Sequence, residues 1–194
     1  MNYCTACGKP LHLRIPEHDD RARHVCDDCG MIHYQNPRIV VCSIPALGDR
    51  VLLCKRAIEP CHGLWTLPGG FMENGETTQA AALRETREEA CANIAVTDLY
   101  TLYNLPHIDQ VHLFFRAQML DEQFAPGIES LEVALFREEE VPWDELAFAA
   151  VSYTLKHYFS DMRTGRYPLR VSDIKIDTNH RRHEAPFNFS HDHS

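Results

Sequence analysis

Three carboxylates, Glu85, Glu88 and Glu89, fall within one turn of any helix formed around them, and no other feature constrains the fold so tightly. The run TTQAAALRETREEA has Thr77 or Thr78 as an N-cap, is rich in Ala, Leu, Arg and Glu, and lacks internal Gly or Pro, which predicts a helix from about 78 to 90. On that helix Glu88 and Glu89 are the i+3 and i+4 neighbours of Glu85, with Cβ atoms about 5 to 6 Å apart. Like charges so placed cost roughly a few tenths of a kcal/mol per pair on an exposed face. Two arrangements resolve the conflict. One is a solvated face neutralised by Arg84 and Arg87; the other is a hard divalent cation, which takes oxygen ligands and keeps waters or substrate phosphates in its shell.

The segment in front of the helix, LPGGFMENGE, weighs on this choice, because Gly69, Gly70 and Gly75 allow a bent loop that returns the backbone to the helix start. Gly70, five residues, Glu76, seven residues, then Arg84-Glu85-Thr86-Arg87-Glu88-Glu89 resembles the Nudix box, Gx5Ex7REUxEExGU, in which U is a bulky aliphatic. The departures are Thr86 at the first aliphatic position, Cys91 in place of the last glycine and Ala92 as a small final aliphatic. The resemblance implies Mg²⁺ or Mn²⁺ held by Glu85, Glu88, Glu89 and the carbonyl of Gly70, with Arg84 and Glu76 tying loop to helix. It also implies an α/β fold, the Nudix αβα sandwich around a mixed sheet. A glycine at the box end would allow a left-handed helix terminus, which costs a cysteine roughly 1 kcal/mol. Cys91 is therefore expected to be strained, or the helix to end differently.

Short β-branched and leucine-rich runs, RIVVCSI (38 to 44) and VLLCKR (51 to 56), predict two strands joined by a turn. IAVTDLYTLYN, QVHLFFRAQML (110 to 120) and LEVALFRE (131 to 138) predict three more. Leu146, Phe148, Val151, Leu155, Tyr158, Phe159 and Met162 recur at helical spacing, giving a second helix that stops near Gly165. Beyond about residue 168 the chain is polar and without period, and a loosely held tail is expected. His180, His183, His191 and His193 in it could bind metal or simply be solvated. The expected domains are a small module at 1–35, the α/β domain at 36–165 and the tail at 166–194.

The module is read from cysteine spacing. Eight cysteines in a chain without an export signal suggest metal ligands or small buried groups. Two CxxC pairs, Cys4/Cys7 and Cys26/Cys29, each followed by a glycine, can supply four thiolates to tetrahedral Zn²⁺ as a zinc ribbon. Redox-active CxxC motifs are the alternative. Structural zinc contributes on the order of 10 kcal/mol to modules with little core. Residues 1 to 40 balance Lys9, Arg14, Arg21, Arg23 and Arg38 against Glu17, Asp19, Asp20, Asp27 and Asp28, without the basic excess of a nucleic-acid footprint. A structural or dimer-forming role is favoured.

A net charge of -9 argues against general affinity for polyanions, DNA or acidic membranes, though a divalent cation reconciles an acidic protein with a phosphorylated small molecule. No apolar run approaches the roughly 18 residues of a membrane span, and MNYCTACGKP lacks the layout of a secretory signal, so the cytoplasm is the expected location.

The family resemblance implies a hydrolase in which water attacks one phosphorus of a nucleoside diphosphate derivative and the bridging oxygen leaves with the other, divalent cations neutralising the developing charge. Arg56, ending the strand before the box, is the candidate phosphate ligand, with a surface cation as the plain alternative. Glu129 of PGIESLE is the candidate further base, and Glu132 its neighbour that can alternate outward on a strand. A zinc ribbon followed by this domain is the layout of NADH pyrophosphatases, but their SQPWPFPxS motif is missing and TLYNLPHIDQ stands in its place. Pro106 about fifteen residues after the box, with YQNPRIVV, HGLWTLPGGF, LPHIDQVHLFF and FAPGIESLE, resembles ADP-ribose pyrophosphatases, bacterial zinc-ribbon Nudix proteins and plant chloroplast FAD pyrophosphatases. Hydrolysis of ADP-ribose or FAD with release of AMP is therefore expected. Tyr34, Phe71 and Tyr103 could stack on adenine or be core. NADH pyrophosphatase activity, a non-catalytic ligand-sensing regulator and a structural adaptor are the alternatives, and homodimerisation follows from family analogy alone.

Overall fold

The first residues have too few apolar side chains to bury a core and are organised around their cysteines. In the computed structural model, which describes residues 1–175, Met1–Pro37 forms one unit and the chain from Arg38 a second. In the first unit β1 (His12–Arg14), β2 (Arg23–Val25) and β3 (Ile32–His33) make an antiparallel sheet in that order. The two CxxC turns are closed by the Gly8 N–H donating to the Cys4 carbonyl and the Gly30 N–H to the Cys26 carbonyl, both at 2.9 Å. Val25, Cys4, Cys26 and Pro16 are its buried apolar groups.

In the second unit the aliphatic runs pair as expected. β4 (Arg38–Leu47) and β5 (Arg50–Arg56) form a hairpin, and β6 (Trp65–Thr66) and β7 (Gly69–Phe71) pair with β5 and β4. Helix α1 (Thr78–Ala90) follows, then β8 (Ile94–Leu105), β9 (Gln110–Met119), β10 (Ser130–Phe136), helix α2 (Ala149–Met162) and β11 (Arg170–Asp173). The sheet order is β10-β5-β4-β9-β8-β11, mixed because β9 runs parallel to β4 and β11 parallel to β8. Side chains alternate across it. Val41 and Phe115 face Ala81 and Ala82 of α1, whereas Cys42, Ile44, Tyr103 and Phe114 face Val151, Leu155 and Phe159 of α2. Two helices on opposite faces give the αβα sandwich.

α1 has the predicted bounds, with Thr77 as N-cap accepting the Ala80 N–H at 3.1 Å. The polar Thr86 at the box's aliphatic position is fully buried, and its hydroxyl meets that of Ser43, equally buried, at 2.7 Å. A cross-element hydroxyl pair thus replaces an apolar contact without leaving a polar atom orphaned. Cys91 adopts the left-handed backbone, φ 48° and ψ 24°, and its N–H donates to the Arg87 carbonyl. The helix keeps the glycine-type ending, with a cysteine in it.

Two expectations are corrected. The second helix begins at Ala149 rather than 146, because the Ala147 N–H donates to the Trp65 carbonyl and draws Leu146 to Phe148 out of helical register. Residues 170–173, placed by sequence in a polar tail, are β11: Arg170 grips Asp161 of α2 through Nη1–Oδ2 at 2.6 Å and Nη2–Oδ1 at 2.9 Å, and Tyr100 donates to the same carboxylate. The tail histidines His180, His183, His191 and His193 lie outside the described residues.

Burial opposes ionisation of Asp161, but hydrogen bonds from Arg170 and Tyr100 outweigh it and hold the carboxyl below its ordinary 3.8. A depressed carboxyl stabilises the fold above its unfolded value and loses that contribution as pH falls through the folded one. Asp161→Ala, which leaves Arg170 unpaired, should destabilise by about 3 kcal/mol at pH 7. In urea melts the difference between wild type and variant should shrink as pH falls below 3.8.

Candidate active site

The loop from Gly69 to Glu76 and helix α1 fit each other so closely that side chains are excluded between them. A Cβ on Gly70 would lie 2.6 to 2.7 Å from the carboxyl atoms of Glu85. The Gly69 N–H donates to Glu89 Oε2 at 3.1 Å. Arg84 closes the loop from the other side: Nη2 and Nε donate to the two oxygens of Glu76 at 2.8 and 3.2 Å, and Nη2 also reaches the Phe71 carbonyl. Glu76 Oε1 accepts the Glu73 N–H at 2.6 Å, so the same carboxylate shapes the turn. The hydrogen bonds from Arg84 hold Glu76 below the usual carboxylate range.

Arg84 Nη1 lies between Glu85 Oε1 at 2.7 Å and Glu88 Oε2 at 3.0 Å. Both readings of the carboxylate face therefore have a counterpart, since an arginine partly neutralises two of the three glutamates. Glu89 stands apart. It is buried, and burial pushes its carboxyl up to about 7, the Gly69 N–H and Arg56 opposing and Glu85 adding repulsion. Burial likewise raises Glu85, against the pull of Arg84 and with repulsion from Glu88 and Glu129.

Two raised carboxyls on one face, beside a third and a backbone turn, form an all-oxygen donor set suited to a hard divalent cation. Among the described residues the four cysteine sulfurs are the group of ligand atoms gathered within 4.8 Å of one another, whereas Glu85 and Glu88 are bridged by Arg84 Nη1. In the cysteine cluster, Cys7 and Cys26 sulfurs are 3.4 Å apart and Cys4 and Cys29 sulfurs 3.7 Å. A disulfide needs about 2.05 Å, whereas tetrahedral thiolates at about 2.3 Å from zinc stand about 3.8 Å apart. The cluster fits zinc.

Arg56 and Glu129 come together. Arg56 ends β5 in register with Ser130, the Ala57 N–H donates to the Glu129 carbonyl at 2.8 Å, and both charges are felt at Glu89. Glu132 faces Lys55 instead, 3.8 Å away. Tyr103 is core, packed edge-on against Phe114; Phe71 is exposed beneath the Arg38 guanidinium, and Tyr34 lies in the first unit beside Arg23.

Gly127 was not singled out by sequence, although the Pro-Gly pair in FAPGIESLE marks a turn. Its N–H donates to the Glu89 carbonyl and that of Ala125 to the Ala90 carbonyl, both at 2.9 Å, so this loop caps the free end of α1. The approach is close enough that a Cβ on Gly127 would sit 1.7 Å from the Glu88 carbonyl oxygen.

Residues 2–35 match the family model described as Nudix N-terminal, and residues 36–159 that of the NUDIX domain. The chain is 30% identical over 134 residues to the NAD-capped RNA hydrolase NudC of Stutzerimonas stutzeri, covering 68% of this chain and 46% of that protein. It is 31% identical over 119 residues to the ADP-ribose pyrophosphatase of Methanocaldococcus jannaschii, covering 59% of this chain and 69% of that one. Thus it spans under half of the first relative and about two thirds of the second. The crystal structure of a NUDIX hydrolase from Nitrosomonas europaea superposes with a TM-score of 0.86 at 49% identity, covering 90% of this chain and all of that one.

Gly127→Ala should cost about 3 kcal/mol, measured by urea unfolding, because the loop must lift off the helix end. Atomic absorption should find zinc in the wild type and none in Cys26→Ser, whose first unit should then show fast amide exchange while the second stays protected.

Proposed function

Because the chain belongs to the NUDIX family, we propose that it hydrolyses the diphosphate bond of a nucleoside diphosphate derivative, ADP-ribose or FAD, and releases AMP. The observation that carries this reading is the pairing of half-buried Glu85 and buried Glu89, both raised, against the Gly69-Gly70 turn, which gathers negative charge beside a backbone loop with Arg84 and Arg56 opposing it. When Mg²⁺ or Mn²⁺ is held by Glu85, Glu88, Glu89 and the Gly70 carbonyl, it supplies charge neutralisation for the diphosphate and a more acidic water. Zn²⁺ on Cys4, Cys7, Cys26 and Cys29 has a structural role.

The chain's own residues do the positioning. Arg84, anchored on Glu76, holds the loop against the helix so that Gly70 keeps its place. Arg56 offers guanidinium N–H groups to a phosphate oxygen, in the bidentate manner that suits this side chain. Glu129, on the loop that caps α1, takes the proton of the attacking water at a carboxylate oxygen. The Gly127 turn fixes where that carboxylate stands.

A second reading, cleavage of a nicotinamide dinucleotide such as NADH or of an NAD-capped RNA end, is favoured by the similarity to the protein of that name from Stutzerimonas stutzeri. Retention of all three box glutamates favours either enzyme over a ligand-sensing regulator.

A panel of ADP-ribose, FAD, NADH and NAD-capped RNA, incubated with Mg²⁺ or Mn²⁺ and resolved by chromatography, separates these readings. AMP should accumulate fastest from ADP-ribose or FAD. Glu89→Gln should lower kcat by about 10² to 10³-fold, the size of effect seen when a charge-stabilising group is lost, with the melting temperature not lowered. Binding without product from any of the four would leave the regulator standing.

A further inference from the structure

Between β5 and β6 the chain makes a tight excursion whose ends are stitched together: the Arg56 N–H donates to the Leu64 carbonyl at 2.9 Å and the Gly63 N–H to the Arg56 carbonyl at 2.8 Å. Arg56 thus stands at the neck of this loop, and the loop turns back on it. Its Nε donates to the Pro60 carbonyl at 2.8 Å. On the other side lies the ring of Phe148, whose centroid is 5.2 Å from the guanidinium carbon. That is within the range of a cation-π contact, where an aromatic face attracts a guanidinium and also limits its rotation.

Phe148 is not there by chance of surface packing. The Cys61 thiol faces the Ala147 carbonyl at 3.5 Å, and the Ala147 N–H donates to the Trp65 carbonyl at 2.8 Å. These contacts on the residue before Phe148 bind the segment leading into α2 to the Pro60 loop through Cys61 and to β6 through Trp65, the latter being the bond that draws Leu146 to Phe148 out of helical register. Arg56 is therefore held at two points supplied by separate elements, a carbonyl on its Nε and a ring on its face. Its Nη groups make neither the Pro60 hydrogen bond nor a bond to the ring, and the Arg56 charge is felt at Glu89.

We propose that Phe148 is a positioning residue: with the Pro60 carbonyl it clamps Arg56, so that the free edge of the guanidinium meets an anionic diphosphate in a single orientation. This rests on the reading of Arg56 as the phosphate ligand of a hydrolase. A long side chain loses rotamer entropy when it binds, and one already fixed loses less. The clamp therefore acts on substrate affinity through Arg56 and leaves the bond-breaking step to the carboxylate groups.

The test is a double-mutant cycle read by isothermal titration of ADP-ribose, with Ca²⁺ in place of Mg²⁺, and by steady-state kinetics with Mg²⁺. Phe148→Leu should raise the ADP-ribose Kd and KM by about fivefold, the scale of one cation-π contact, with kcat changed less than twofold. Phe148→Trp should restore both. In an Arg56→Ala background Phe148→Leu should change neither, because nothing is left to clamp. An equal fold-change in both backgrounds would mean that Phe148 acts through packing alone and would overturn the proposal, as would an unchanged Kd in the Phe148→Leu single variant. If the wild type binds ADP-ribose without cleaving it, the hydrolase reading fails while the Kd cycle still decides the clamp. If it neither binds nor cleaves, both fail.

Discussion

The Arg84 guanidinium joins a loop to a helix by donating to Glu76, to the Phe71 carbonyl and to two carboxylates on α1. An arginine in this position does with one planar fork what separate lysines could not, because its donors are fixed relative to each other. With the loop so held, Gly70 rests on Glu85 and the Gly69 N–H reaches Glu89. Without the fork, the loop would be tied to α1 by the Gly69 N–H and to β4 by the β7 pairing and the flanking Ser43–Pro68 and Met72–Ile39 backbone bonds. The charge arrangement of the site is in this sense a product of one side chain's geometry.

The other end of α1 is held by backbone. Helix termini leave carbonyls without partners, and here the loop from Ala125 to Glu129 supplies N–H groups to the last of them, at the cost of requiring glycine at 127. The same loop delivers Glu129 beside Arg56, so capping of the helix and placement of a candidate base are one structural event. Thr86 shows similar economy within the helix. Its hydroxyl bonds the Ala82 carbonyl and pairs with Ser43 of β4, which makes a polar side chain acceptable in the layer between helix and sheet.

The first unit obeys different physics. It has little apolar burial, and its four sulfurs converge at separations that suit a tetrahedral metal rather than a pair of disulfides. Metal coordination substitutes for a core in a segment too short to build one. Its charges are mixed, as the sequence suggested, and two of its arginines are occupied locally, Arg23 by Asp19 and Arg14 by Asp27.

Much of this was legible in the chain itself. The bounds of α1 followed from a cap, good helix formers and the absence of breakers; the hairpin of β4 and β5 followed from β-branched runs around a turn; the cysteine cluster followed from spacing. These are local signals, carried by residues close in sequence. Tertiary structure alone decided the rest, because it depends on groups far apart meeting. Arg170 and Asp161 tie a polar segment, as the strand β11, to α2; Trp65 draws Ala147 out of helical register; Gly127 approaches Glu88 where its loop caps the end of α1. Cys91 combines both cases: the motif marks a left-handed helix end, and only the packed structure shows that the backbone keeps it with a side chain that pays about 1 kcal/mol for doing so. Spacing along a chain can encode a helix face, but the partner of that face is chosen by the fold.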